Sequence, residues 1–284
     1  MSELTRRVLF SLAGAPLTVA IIYAGGAVLA GALAILAALG AWEFFRMARE
    51  GGSNPLDTAG IALAASIPLL VHANYLGVYR VSVTTGVFAF LILLAAVIWA
   101  RGVGGRPLVA VSITVAGIAY PALLTYMYPL RYHDYAVGAV AGTVLVMFPI
   151  MVTWGTDTGA YVFGRLFGKR KLIPAVSPGK TVAGAVGGLF VAIAMCFLYA
   201  RFMLEPFAQL TLAPLGILVF AIAISVADQI GDLFESLMKR DSGVKDSSSI
   251  FPGHGGVLDR FDSLLFALPV AHMLLSRLLV PSPG

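Results

Sequence analysis

Apolar runs about as long as a bilayer-crossing helix, roughly 20 residues, follow one another along the chain, separated by short glycine-, proline- or charge-bearing breaks. Nine such segments lie at roughly 9–24, 27–45, 58–73, 83–100, 108–127, 136–156, 182–203, 211–233 and 262–280. Gly25-Gly26 predicts a tight turn between the first two. The first and third segments are short and carry Pro16 and Pro68, so they are expected to be kinked or only partly spanning. The pattern predicts an all-α, polytopic transmembrane helical bundle of about nine spans.

Composition agrees. The 284 residues are 59% hydrophobic and 12% charged, with a mean hydropathy of +0.92. A soluble domain carries about 25% charged residues, and only a bilayer accommodates this much apolar surface. The opening MSELTRRVLFSLAGAPLTVAIIY resembles a signal peptide in its basic-then-apolar order. It has no clear small-residue cleavage site leading into polar sequence, and is read as a retained first helix. The formal net charge of +5 does not indicate nucleic acid, because basic residues of membrane proteins face anionic lipid and set topology. Cys196, the single cysteine, is read as a packed apolar residue.

Charge placement orients the bundle. With a cytoplasmic N-terminus, the inner connections hold 15 of the 19 basic residues, leaving Arg80, Arg131, Arg201 and Arg277 on or near the outer side. Two inner connections stand out, 157–181 and 234–261. Residues 1–135 are therefore expected to form a transmembrane scaffold. Residues 136–284 are expected to form the catalytic region, with its site at the cytoplasmic face.

Seven of the fourteen acidic residues fall between Asp228 and Asp262. Asp228, Asp232 and Glu235, spaced four and three apart, share one face of a helix. Carboxylates at membrane depth require a partner or an ion. A hard divalent cation such as Mg²⁺ suits them better than bridges to loop lysines, with Asp232 ranked ahead of Asp228. Downstream, PGHGG cannot hold a helix. Its glycines allow a tight turn with accessible N–H groups, and the turn can bring Asp259 back towards Asp232 so that carboxylates from two helix ends clamp a metal. Lys239, Arg240, Lys245 and Arg260 alternate with these acids as phosphate-binding cations, and His254 is a candidate for hydrogen bonding or proton transfer. Together these groups suit a metal-bound nucleoside triphosphate beside a lipid phosphate.

The other loop holds Asp157, at the end of the sixth segment, and Ser177-Pro178-Gly179-Lys180-Thr181 ahead of a glycine-rich apolar run. That turn has phosphate-binding chemistry at a helix start, though it lacks Walker A spacing. Glu43, in AWEFFRMAR, is read as snorkelling or pairing with Arg46.

The stretch SLMKRDSGVKDSSSIFPGHGGVLDRFD resembles the signature of integral-membrane phosphatidate cytidylyltransferases, or CDP-diacylglycerol synthases. It matches at Ser236, Lys239, Arg240, Lys245, Asp246, His254, Gly255, Gly256, Asp259, Arg260 and Asp262. The similarity is detailed from about Trp154 onward, and in the N-terminal half extends to the Glu43-Phe44 neighbourhood. Where many members carry an acid, this chain has Ala183, and where they carry a second lysine it has Gly179.

The resemblance implies transfer of CMP from CTP to phosphatidic acid. Catalytic roles fall on Asp232, Asp259, Lys239, Arg240, His254 and Asp246. Substrate-binding roles fall on Ser177, Lys180, Thr181, Lys245, Gly255, Gly256, Arg260 and Asp157. Mg²⁺ would lie on Asp232 and Asp259, with Asp228 added by its helical spacing, and a potassium ion is allowed beside it. The resemblance also implies a homodimer in the cytoplasmic (inner) membrane. Competing expectations are another CTP-using membrane lipid enzyme, such as a polyprenol or dolichol kinase or an archaeal-type CDP-lipid synthase, and a cation transporter.

Overall fold

The computed structural model describes residues 3–251 and 255–282, with side chains from Gly14 onward. Among these residues the chain is helical nearly throughout. The helices are α1 (Glu3–Ala24), α2 (Gly26–Glu50), α3 (Asp57–Tyr75), α4 (Val83–Arg101), α5 (Pro107–Ala122), α6 (Met127–Arg131), α7 (Gly138–Phe167), α8 (Val182–Tyr199), α9 (Pro214–Asp241) and α10 (Leu258–Leu278). A 3₁₀ turn, Leu123–Tyr126, links α5 to α6, and a π-helical segment, Ala200–Ala208, extends α8. Two antiparallel strand pairs are the only sheet among the described residues: β1 (Lys171–Ile173) with β2 (Ser177–Thr181), and β3 (Leu210–Leu212) with β4 (Leu279–Pro281).

Among the described residues eight helical stretches are long and apolar enough to cross a membrane, and they coincide with the second to ninth expected segments. The expected first segment lies within α1, of which Gly14–Ala24 is apolar and shorter. The chain is a multi-pass membrane protein. Large apolar side chains such as Trp99 (81% exposed) point outward, as a bilayer permits and water does not. Neither Pro16 nor Pro68 interrupts its helix.

The residues group into two compact units. The first comprises 1–10, 26–128 and 238–260. In it α2 packs on α3 and α5, and α4 on α5. The Phe45 ring, fully buried, fills the centre against Ala37, Ala41 and Ala64. A second cluster joins Leu56, Leu93, Val97 and Ala110.

The second unit comprises 11–25, 129–237 and 261–284. Its centre is the α7–α8 pair. Phe148 stacks on Phe220 at 4.5 Å and on Tyr199 at 5.0 Å between ring centroids. The Tyr199 hydroxyl donates to the Val144 carbonyl at 2.8 Å. Arg131 is buried, with Nε and Nη2 donating to the Ile22 and Tyr23 carbonyls that α1 leaves open at its end.

The charged connections are shorter than the sequence pattern suggests. α7 continues to Phe167, so Asp157 lies inside a helix rather than at its end. No proline follows Pro149 in α7, and the glycines at 159 and 164 face α8 instead of breaking the turn. α9 likewise reaches Asp241, leaving 242–257 as the connection to α10.

Candidate active site

In the second unit, the end of α7, the β1–β2 hairpin, the start of α8 and part of α9 enclose a cavity of about 520 Å³. Three carboxylates line it, Asp157 from α7 and Asp228 and Asp232 from α9, together with Lys180, Lys171, Arg165 and Gln229. The helical spacing predicted for α9 holds, and it turns Asp228 and Asp232 to the same wall. Glu235 is buried and does not line the cavity.

The close crossing of α7 and α8 makes this geometry possible. A Cβ on Gly184 would stand 2.7 Å from the Ala160 carbonyl oxygen and 3.1 Å from Thr181 Oγ1, so only glycine allows the backbones this near. Thr181 caps α8, its Oγ1 accepting from the Gly184 N–H at 3.1 Å. The segment expected as a turn before α8 is largely strand β2, which carries Lys180 to the cavity wall. Lys180, Thr181 and Asp157 therefore line one cavity. Ser177, paired with Ile173 at the far end of the hairpin, does not line the cavity.

Lys180 Nζ lies 2.6 Å from Asp232 Oδ2, with the two side chains 24% and 34% exposed. Asp228 is 1% exposed, and its Oδ1 has no hydrogen-bond partner among the described residues. A buried carboxylate oxygen without a donor is costly unless a cation or a proton meets it. Among the described residues no group of three or more His, Cys, Asp or Glu side chains converges as a complete metal cage. Mg²⁺ does not need one: it takes one or two protein carboxylates and completes its octahedron with water and substrate phosphates. Asp228 and Asp232 fit that donor set.

The first unit holds the other candidates. Asp259, near the start of α10, has a side chain only 6% exposed. Its Oδ1 accepts from Lys239 Nζ at 2.7 Å. Its Oδ2 accepts from Ser247 N (2.8 Å), Ser247 Oγ (2.8 Å) and Gly256 N (2.9 Å). The Gly256 N–H, expected to be open to a ligand, is thus committed to Asp259. Gly255 has φ +78, and a Cβ there would meet the Asp259 carboxylate at 2.5 Å. Arg240, Lys245, Asp246 and Arg260 are exposed. His254 lies outside the described residues.

Glu43 departs most from expectation. It makes no ion pair with Arg46 among the described residues and does not snorkel. At 0% exposure it accepts from Ser248 Oγ (2.6 Å), Val257 N (2.8 Å) and Leu258 N (2.8 Å), while Ser247 Oγ, 3.0 Å away, has one proton that serves either Glu43 or Asp259 at a time. Sequence reasoning also passed over Ser247 and Ser248. An acid inside an apolar helix and paired serines in a charged loop were the available signals, but nothing local joins them.

A model of the Cytidylyltransferase family matches residues 5–278. The phosphatidate cytidylyltransferase of Haemophilus influenzae is 34% identical over 259 residues, covering 84% of this chain and 86% of that one. That of Staphylococcus saprophyticus is 44% identical over 167 residues, 59% of this chain and 58% of the relative. That of Bacillus subtilis is 40% identical over 164 residues, 58% and 57% of the two chains. The chain spans little more than half the length of the last two relatives.

Proposed function

The chain belongs to the Cytidylyltransferase family, and from that premise we propose that it transfers CMP from CTP to phosphatidic acid, releasing pyrophosphate and forming CDP-diacylglycerol. The observation that carries the reading is the cavity in which Lys180, paired with Asp232, faces the Asp228 carboxylate, whose Oδ1 has no hydrogen-bond partner among the described residues. Acids and bases in one pocket beside apolar helices suit a polyphosphate nucleotide and a lipid phosphate together.

A phosphate oxygen of the lipid attacks the α-phosphorus of CTP. The new P–O bond forms as the bond to the β-phosphate oxygen breaks, and the electron pair leaves on pyrophosphate. The lipid supplies the nucleophile, so the protein's work is to hold two anions in line and to offset their repulsion. Lys180, with Lys171 and Arg165 on the same wall, holds nucleotide phosphates. Asp232 orients the Lys180 ammonium through their ion pair. Lys239, Arg240, Lys245 and Arg260 supply further phosphate-binding charge, and Asp246 and His254 keep the roles that the resemblance implies. Bound Mg²⁺ would lie on Asp232 and Asp228, with K⁺ as an accompanying ion, and would supply charge neutralisation for the phosphates. Lys239 holds Oδ1 of Asp259, the further metal ligand that the resemblance implies.

The basic connections support a site at the cytoplasmic face of the inner membrane, where phosphatidic acid would enter sideways with its acyl chains among the spans. The family resemblance also supports a homodimer. Purified protein with CTP, Mg²⁺ and phosphatidic acid should release pyrophosphate and a CDP-lipid. A phosphorylated lipid with CDP would make it a kinase instead. Asp232→Asn should abolish turnover with membrane insertion intact, and full activity in that variant would sink the assignment.

A further inference from the structure

We infer that Glu43 is a positioning residue that holds the 242–257 loop, and through it Asp259 and Lys239, in its working shape. The part of this that concerns turnover rests on the function proposed above. Glu43 belongs to α2, in the half of the chain that the sequence pattern marks as scaffold. It is fully buried, carries no counter-cation among the described residues, and is kept there by hydrogen bonds from Ser248 Oγ, Val257 N and Leu258 N, with the Ser247 hydroxyl beside it sharing one proton between Glu43 and Asp259. A buried carboxylate without a cation is retained only where donors are aimed at it.

The donors lie at the two ends of one segment. Ser247 and Ser248 stand before it, Val257 and Leu258 after it, and between them the Phe251 N–H donates to the Gly255 carbonyl at 2.9 Å. One side chain therefore pins both ends of the segment and caps the start of α10. Gly256 is part of the device, because a Cβ at that position would collide with Glu43 Oε1 and Ser247 Oγ. From Ser247 the chain of contacts continues, since its Oγ lies 3.0 Å from Glu43 Oε2 and 2.8 Å from Asp259 Oδ2. Asp259 in turn holds Lys239. Moving Glu43 thus moves Asp259 and the phosphate-binding Lys239 without Glu43 touching either.

Glu43→Gln separates this role from a merely structural one. Either amide orientation sets an NH₂ against the N–H of Val257 or Leu258, so a bond is lost at one end of the segment. The variant is expected to insert as the wild type does and to melt modestly lower, since one buried N–H loses its acceptor. Its kcat for CMP transfer should fall roughly 10²-fold, the cost of a displacement of about 1 Å, with KM for phosphatidic acid within about twofold. Glu43→Asp, which keeps the charge, should retain more activity than Glu43→Gln. Trypsin in mild detergent gives a readout independent of turnover, since cleavage after the exposed Lys245 should speed up in Glu43→Gln and, to a smaller degree, in Ser248→Ala. Wild-type cleavage rates in both variants would overturn the inference, as would wild-type kcat in Glu43→Gln. If Glu43→Gln does not fold, Ser248→Ala decides the matter by the same cleavage rate. A wild type that makes no CDP-lipid would overturn the proposed function, while the proteolysis would still judge Glu43.

Discussion

The two lysine–aspartate pairs predict opposite consequences of the same substitution. Lys239 and Asp259 meet at 2.7 Å with side chains 16% and 6% exposed. Lys180 and Asp232 meet at 2.6 Å with side chains 24% and 34% exposed. Removing one partner of a buried pair costs about 3–5 kcal/mol because the other charge is stranded. Asp259 keeps three donors on Oδ2 after Lys239→Met, so the expected loss is at the low end, about 3 kcal/mol. The Lys180 pair opens into the cavity, where solvent weakens the interaction, and Lys180→Met should cost about 0–1 kcal/mol. A difference of about 2 kcal/mol is roughly a 30-fold change in the folding equilibrium. Denaturation of each variant in mixed micelles, followed by circular dichroism, measures it. Activity should not follow stability: Lys180→Met should lower CMP transfer by about 10²–10³-fold, the loss typical of one charge-stabilising donor. Unfolding free energies for the two variants within about 0.5 kcal/mol of each other would refute the assignment of Asp259 as a buried anchor and Lys180 as a cavity-facing ligand.

Other substitutions test the cavity. Asp228→Asn removes a buried oxygen that lacks a donor, so thermal stability without Mg²⁺ should stay level or rise. The stabilisation that Mg²⁺ gives the wild type should shrink, and a melting series with and without the ion reads both effects. Gly184→Ala places a methyl 2.7 Å from the Ala160 carbonyl oxygen and should destabilise by about 1–3 kcal/mol. It should also lower activity by parting α7 from α8, whereas Gly179→Ala, with open space around it, should leave the melting temperature unchanged.

The spans were legible in the amino-acid sequence because the bilayer leaves little choice. A backbone in hydrocarbon must satisfy its own hydrogen bonds, so run length and apolarity predict helices and their number. The Asp228–Asp232 spacing was equally legible, since a helix repeats every 3.6 residues and both carboxylates come to one cavity wall. The signature from Ser236 to Asp262 pointed to the family, which the match over residues 5–278 shows. Helix ends were less legible. Asp157 falls inside α7 because the helix runs on to Phe167, with Gly159 and Gly164 packed against α8.

What only the tertiary structure decided is who partners whom across long stretches of chain. Glu43 and Ser247 are 204 residues apart, and the bond between them leaves no local trace in either neighbourhood. A buried charge has to find its donors wherever the fold delivers them, whereas hydrophobic length acts within each segment alone. Tertiary contact therefore turned an acid read as a neighbour of Arg46 into the anchor of the 242–257 loop. It also turned the glycine pair at 255–256 from a presumed ligand cradle into room for two carboxylates.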